Sequence, residues 1–345
     1  MGNAQSCIII SVSACSVFLL YAHIYRSHKT LQTNAVNYDG RLPSFGYLYF
    51  KYVINALCRK QGHLYPSNAK GKFDVAYNVL NCRLETSLLR MFCNSAGYGW
   101  DYPDSEYRDI PLCFPEILCL RLMLIILTAS NFRLNPAGLV RVRQSLRTLQ
   151  PIDELKKGPF ILYGQVLEYR PVDAGVEVDV SLSATSHSNY LVWQSVLTLL
   201  SKSKFHRAPR PVPKDESKSE NCCQPDIPTP EEVKKVAMRI PGHSLHQLFT
   251  LPARLLGYRC HTSPSLWMLS VCLAEIEKHK GVEAIRAPIS VTARFKETDS
   301  VSGKVMIKIW ETAFEDGQSS GQGLSFQMEQ QRTRVAHVEG LICRT

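Results

Sequence analysis

Several signatures that would indicate a particular class of protein are absent from this chain of 345 residues. No Asn-x-Ser/Thr sequon occurs, in weak agreement with a body that never enters the secretory lumen. No zinc-finger spacing, arginine-rich helix or ribonucleoprotein-type aromatic motif is present, which disfavours binding to nucleic acid. The twelve cysteines form no C-x-x-C pair, and several lie in apolar runs, so we expect reduced, buried thiols and no metal site.

Positive charge, in contrast, is abundant and unevenly distributed. The formal net charge is +10. Between Arg26 and Arg90 basic residues greatly outnumber the three acids, Asp39, Asp74 and Glu85. Long-range attraction alone does not distinguish one anionic partner from another. The position of this basic stretch, directly after an apolar N-terminus, favours a membrane surface.

The N-terminal segment Cys7–Tyr25 is uncharged, and its roughly nineteen residues at ~1.5 Å each match the hydrocarbon thickness of a bilayer. Arg26 and Lys29 follow it, so the positive-inside tendency places the large C-terminal body in the cytosol. We predict that residues 1–27 form a single-pass membrane anchor. A cleaved signal peptide, or an N-terminus acylated at Gly2 and Cys7, remains an alternative.

The first folded unit is predicted over residues 108–202, after a helical or irregular segment at 28–107 with amphipathic pieces at Tyr47–Leu57 and Val75–Met91. Pro115–Leu127 begins with proline and is apolar nearly all round, but it is too short to span a bilayer, so it predicts a buried helix. Four runs typical of strands follow it: Leu139–Leu149, Phe160–Tyr169, Gly175–Ala184 and Tyr190–Leu200.

The same order returns over residues 235–345, after a linker at 203–234 that is rich in Pro, Lys and Ser. Ser265–Lys278 predicts a helix, and Glu315–Gly323 predicts a turn. The runs typical of strands are Ala287–Phe295, Gly303–Thr312 and Arg334–Ile342. Antiparallel strands that wrap one helix make a hot-dog fold. The sequence therefore predicts an α+β protein with two hot-dog folds in tandem behind an N-terminal anchor helix.

Two segments resemble the MaoC-like acyl-thioester dehydratases, which include the (R)-specific enoyl-CoA hydratases. In the first unit, a Phe-Pro helix start leads to the strand sequence GLVRVR at Gly138–Arg143. In the second unit, Ala253–Tyr258 (ARLLGY) and Leu266–Met268 (LWM) are similar to that family's hydratase segment. Both matches occur in the family's order, and together they cover roughly residues 108–345.

The resemblance implies an Asp and a His, five residues apart in a Gly-Asp-x-Asn-Pro-x-His loop, that add or remove water across the double bond of an acyl thioester. Counted back from Gly257, Gly242 stands at the Asp position and Gln247 at the His position. A gap shifted by one residue puts His243 at the Asp position, and neither alignment restores a carboxylate. His243, His246 and Gln247 are the candidate catalytic residues; loop residues without catalytic role are the alternative.

The resemblance also implies a contact with the thioester oxygen at the start of the second helix. The family's Ala-His-Gly, whose glycine amide helps to hold that oxygen, falls on residues 263–265. Pro264 removes one donor, but the following N–H groups of the helix start remain. We predict that Pro264 and Ser265 bind substrate, with Trp267 as an acyl-chain wall and Arg143 as a contact for coenzyme A phosphates. A core position for Trp267, and a salt bridge or a solvent-facing position for Arg143, are the alternatives.

Two functions follow from these residues. The first is an enoyl-CoA or 3-hydroxyacyl hydratase-dehydratase of lipid metabolism, with its activity lost or rebuilt around residues 242–247. The second is a non-catalytic module that binds acyl-CoA or another protein at a membrane. Acyl-CoA is the expected substrate or ligand, with no further cofactor. The sequence also allows a homodimer.

Overall fold

The computed structural model describes residues 21, 24, 25, 27, 28, 35–37, 42–66, 75–100, 102–104, 109–203, 232–238, 265–296, 303–316, 319–331 and 334–344. Most of the predicted anchor, most of the linker and the loop of residues 239–264 lie outside these ranges. Within them, no helix is both long enough and apolar enough to cross a bilayer.

A single sheet runs through both predicted units. Its described strands are β1 (Ala35–Asn37), β2 (Ala76–Cys82), β3 (Leu139–Thr148), β4 (Phe160–Val172), β5 (Gly175–Thr185), β6 (Leu191–Lys202), β7 (Glu232–Met238), β8 (Ile289–Phe295), β9 (Gly303–Asp316), β10 (Ser319–Gln330) and β11 (Ala336–Arg344). Across the sheet their order is β1-β2-β4-β5-β6-β3-β8-β11-β10-β9-β7. The antiparallel pairing of β3 with β8, from Arg143 opposite Arg294 to Thr148 opposite Ile289, joins the two units.

The described helices are α1 (Phe45–Cys58), α2 (Thr86–Ala96), α3 (Phe114–Leu118), α4 (Leu120–Thr128) and α5 (Ser265–Lys280). Short 3-10 turns occur at Tyr102–Asp104, Ile152–Lys156 and Val282–Ile285. The apolar helix predicted at Pro115–Leu127 is divided at Cys119 into α3 and α4. Each unit thus has the predicted helix followed by antiparallel strands, but an additional strand, β2 or β7, precedes that helix. β7 begins at Glu232, so the predicted linker of residues 203–234 extends too far.

The core lies on one face of the sheet and continues across both units. Alternate residues of the strands are buried there, such as Ile289, Val291 and Ala293 in β8, and they share one cluster with the inner side chains of α5. Helix α4 lies directly on β4, because a Cβ added at Gly164 would come within 2.8 Å of Ile126 Cδ1. On its far side, α4 is covered by α1.

The segment predicted to be helical or irregular, residues 28–107, supplies part of this structure. Helix α1 confirms the amphipathic pattern of Tyr47–Leu57. The helical interpretation of Val75–Met91 is wrong for its first half, which forms β2 and pairs antiparallel with β4. Backbone hydrogen bonds to a neighbouring strand outweigh the local spacing here, because strand formation depends on tertiary context.

The chain reverses within the turn predicted at Glu315–Gly323, but most of that range belongs to strands. β9 continues to Asp316, and β10 begins at Ser319. β10 lies between β9 and β11, and it buries Phe326 and Met328 completely. Its glycine-rich first half has no alternation that would indicate a strand, and hydrogen bonds from the two neighbouring strands supply what the local sequence lacks.

Candidate functional site

The start of α5 is the described part of the predicted thioester site. Ser265 opens the helix and is 9% exposed. No acidic residue lies in the first turn, whereas Lys278, His279 and Lys280 occupy the last. The first N–H groups of a helix have no acceptor within it and carry partial positive charge. This helix start can therefore donate hydrogen bonds to a thioester carbonyl oxygen and stabilise negative charge that develops there.

Trp267 connects α5 to α2. Its indole Nε1–H donates to the backbone oxygen of Ser95 at 2.8 Å, and its half-buried ring packs against the core. This contact matches the core position considered from the sequence, since an indole N–H that leaves water needs an acceptor. A wall for an acyl chain stays a prediction for this residue.

The predicted site residues Gly242, His243, His246, Gln247 and Pro264 lie outside the described residues. Their roles, including the catalytic ones, stay predictions.

The predicted ligand Arg143 lies on β3, where a β-bulge separates it from Arg141. In a regular strand two residues with one between them share a face. Here the register against β6 shifts between Arg141 and Arg143, so that they point to opposite faces. The Arg143 side chain is 49% exposed and forms a 2.7 Å salt bridge with Glu177. A contact with coenzyme A phosphates stays a prediction for Arg143.

Arg141 points into the core, where its side chain is only 14% exposed, and forms an ion pair with Glu116 of α3. Both guanidinium Nη atoms bond the carboxylate. Gln144 accepts from Arg141 at 2.8 Å and donates to Glu116 Oε2 at 2.9 Å and to Ser195 Oγ at 3.1 Å. Sequence reasoning missed this network. The available signal was an acid within an otherwise apolar helix, because a buried charge requires a partner.

Two buried thiols lie between the start of α3 and the first half of α5. Cys113, directly before α3, shares a hydrogen bond with Ser270 of α5, and Cys272 lies nearby. Burial raises the pKa of Cys113 to about 12 and also raises the pKa of Cys272. Neither thiol is ionised near neutral pH, so neither can act as a nucleophile. Groups of three or more His, Cys, Asp or Glu suited to a metal do not occur among the described residues.

A second buried polar cluster lies toward the other end of α5. Tyr102 donates to both carboxylate oxygens of Glu277, at 3.0 and 3.2 Å, and its ring contacts Tyr98 edge-on at 4.8 Å between centroids. Burial raises the pKa of Tyr98 well above its ordinary value. These contacts fix the segment after α2 against α5. They were not visible in the sequence, because 175 positions separate Tyr102 from Glu277.

Solved structures with this architecture are found, although no family model and no curated protein matches the chain. The MaoC-like dehydratase from Phytophthora capsici has a TM-score of 0.54 at 15% identity, over 79% of this chain and 94% of that one. HtdX of Mycobacterium tuberculosis has a TM-score of 0.50 at 14% identity, over 78% and 99%. The full-length peroxisomal multifunctional enzyme type 2 of Drosophila melanogaster has a TM-score of 0.50 at 13% identity, over 79% and 48%.

This chain has the fold of the MaoC-like dehydratases. The tandem hot-dog architecture predicted from the sequence is thereby confirmed. At 13–15% identity the likeness is one of fold, so the chemistry depends on the residues at the site.

Proposed function

We propose that this protein binds an acyl thioester, such as an enoyl-CoA, at the start of α5, as a MaoC-like hydratase-dehydratase of lipid metabolism. The observation that carries the proposal is the position of Ser265. It opens the helix that packs on the second unit's sheet, at the place where the family resemblance puts the donor to the thioester oxygen. The absence of an acid in this turn leaves the positive end of the helix for the ligand.

A non-catalytic acyl-CoA-binding or protein-interaction module is the second candidate. It is favoured by the sequence itself, in which Gly242 and Gln247 stand where the resemblance expects Asp and His. Without a proton donor and acceptor, a polarised thioester can be held but not hydrated. His243 and His246 are the residues that could restore those roles.

The binding step is tested by removing the Ser265 N–H. Ser265→Pro deletes this donor while proline remains compatible with a first helical turn. Ser265→Ala is the matched control, because it keeps the N–H and deletes only the hydroxyl. We expect crotonyl-CoA to bind at least about tenfold more weakly to the proline variant, and with nearly unchanged affinity to the alanine variant. Equal affinities for both variants would place the ligand elsewhere.

Catalysis is tested by a hydration assay on the same protein. In the non-catalytic case, Gly242→Asp with Gln247→His should raise hydration of enoyl-CoA far more than either change alone, since one group cannot complete the proton transfers. In the catalytic case, the unchanged protein hydrates enoyl-CoA, and His243→Ala or His246→Ala abolishes that activity. Binding without turnover in the unchanged protein selects the second candidate.

Residues 1–27 are proposed to anchor the body to the cytosolic side of a membrane. The uncharged run from Cys7 to Tyr25 and the basic residues after it support this. Deletion of residues 1–27 should release the protein from membranes in high salt, which screens the remaining electrostatic attraction. A truncated chain that still sediments with membranes would contradict a single N-terminal anchor.

A further inference from the structure

The outward face of α1 carries an apolar stripe. Phe50, Ile54 and Leu57 follow the i, i+4, i+7 spacing of one helix face and are 60%, 41% and 60% exposed. The opposite face buries Leu48 and Tyr52 against α4. The stripe is therefore additional to the face by which α1 packs on the protein.

Both ends of α1 are fixed without help from the stripe. At the N-terminal end, Arg121 donates to the Pro43 oxygen at 3.2 Å and lies over the Phe45 ring at 4.7 Å. At the C-terminal end, Arg59 donates to three backbone oxygens, those of Ser130, Phe132 and Leu134. The stripe is thus presented on a helix with a defined orientation.

The charge around α1 is of one sign. Between Asp39 and Asp74 the chain has six basic residues and no acid. Lys60 is exposed just after the helix, and Lys51 is half-buried within it. Burial and the nearby charge of Arg59 lower the pKa of Lys51. This surface combines apolar side chains with cations. An anionic bilayer surface suits both, because its headgroups attract the cations and its acyl chains accept the apolar side chains.

The position of α1 in the chain supports the same partner. Only about twenty residues separate Tyr25, at the end of the uncharged run, from the start of α1. Tyr21, Ile24 and Tyr25 are themselves helical and 65%, 46% and 60% exposed. Aromatic residues followed by basic ones are typical of the interfacial zone of a bilayer. A body attached to the membrane at this point brings the elements that follow directly in the chain, including α1, close to the membrane surface.

We propose that the outward face of α1 lies on an anionic bilayer surface. Phe50, Ile54 and Leu57 enter the boundary between headgroups and acyl chains, and Lys51 and Lys60 contact the headgroups. The contact rests on the proposed anchor only for proximity to the membrane. It orients the first unit toward the bilayer.

Photo-crosslinking of the full-length chain tests this contact. Benzoylphenylalanine replaces Phe50 in protein reconstituted into vesicles of phosphatidylcholine and phosphatidylserine, and mass spectrometry identifies the adducts. Because Phe50 is exposed, the replacement leaves the core intact. Tyr190, an aromatic residue that is 66% exposed between β5 and β6, is the matched control. Phe18, within the uncharged run, reports separately on the anchor.

We expect lipid adducts at Phe50 and none at Tyr190. Omitting phosphatidylserine should lower the yield at Phe50 at least about fivefold, the factor expected for one basic residue near the surface, and leave Phe18 unaffected. Adducts of Phe50 with a second copy of the chain, or with residues 1–34 of its own chain, overturn the proposal. So does the absence of lipid adducts at Phe50. Their absence at Phe18 contradicts the anchor instead, and the two failures are therefore distinguishable.

Discussion

The two units treat the start of their core helix in opposite ways. In the first unit, the helix start is occupied by the Glu116 carboxylate, which is paired with Arg141 inside the core. In the second unit, α5 starts at Ser265 without an acid in its first turn, and the buried carboxylate of Glu277 lies toward the other end of the helix. The same architecture thus neutralises one helix start internally and leaves the other without a carboxylate in its first turn.

This difference leads to separate expectations for the two units. Glu116 places a negative charge at the positive end of the first unit's helix, whereas the start of α5 has no such carboxylate. The two units are joined through the pairing of β3 with β8. Under the proposed function, the second unit binds the thioester at the start of α5.

Loss of the internal ion pair should have the largest effect. Arg141→Met leaves the Glu116 charge buried without its cation, and we expect the free energy of unfolding to fall by about 3–5 kcal/mol. Urea denaturation measures this loss. Arg143→Met is the matched control on the same strand, and its exposed pair with Glu177 should contribute less than about 1 kcal/mol.

The companion double variant separates charge burial from packing. Glu116→Leu combined with Arg141→Met removes both charges and should recover most of the loss. Equal destabilisation by Arg141→Met and Arg143→Met would contradict the opposite orientations that the bulge gives them.

In the first unit, one buried carboxyl group should make stability depend on pH. Asp109, before α3, accepts backbone N–H bonds from Ile110, Ile152 and Asp153 at 2.6–2.9 Å. Burial, followed by a side-chain hydrogen bond with Asp153, raises the pKa of Asp109 to about 7. The folded state then holds this proton more tightly than the unfolded state. The resulting stabilisation is complete below about pH 4 and is lost as the pH rises through about 7.

Asp109→Asn tests the direction of this pH dependence. The amide cannot ionise, although it sacrifices one backbone hydrogen bond at every pH, at a constant cost of about 1 kcal/mol. As the pH rises from about 4 to about 8, the free energy of unfolding of the variant should therefore rise by a few kcal/mol relative to that of the unchanged protein. Thermal unfolding across this range measures the difference. A difference independent of pH would show that Asp109 is ionised throughout.

Glycine substitutions compare the packing of the two units. A Cβ at Gly340 would come within 2.7 Å of the Thr292 backbone oxygen and would also meet the Phe326 ring, whereas at Gly164 it meets only movable side chains of α4. We expect Gly340→Ala to cost about 3 kcal/mol and Gly164→Ala about 1 kcal/mol. Denaturant unfolding of both variants measures which one loses more stability. A larger loss of stability for Gly164→Ala than for Gly340→Ala would contradict the prediction.

The smallest effect is expected at Trp267. Trp267→Phe removes the indole hydrogen bond to Ser95 but keeps an aromatic ring, so stability should fall by about 1 kcal/mol. Isothermal titration with crotonyl-CoA and with a long-chain acyl-CoA then separates two roles. An unchanged affinity for both supports a core residue, and a selective loss for the long chain supports an acyl-chain wall.

Local patterns were sufficient for most elements of the two hot-dog folds. The starts of β4, β5 and α5, at Phe160, Gly175 and Ser265, coincide with the predicted ones, because alternation and turn residues are readable in short windows. β2 and β10 were missed. Both owe their conformation to strands distant in sequence, so their own residues carried too weak a signal.

For the site, the sequence by itself determined which residue types are available. It placed Ser265 at the start of the second helix, and the family resemblance counts Gly242 and Gln247 at the positions of the expected Asp and His. These are matters of composition and order along the chain, which no folding step alters.

Only the tertiary structure decided which groups meet. A bulge of one residue turned Arg141 inward to Glu116 and Arg143 outward to Glu177, although both arginines have the same local pattern. The pairing of β3 with β8 likewise made one sheet of two units. Such pairings depend on strand register and on contacts between distant segments, and a one-residue shift in register reverses the face on which every later side chain lies.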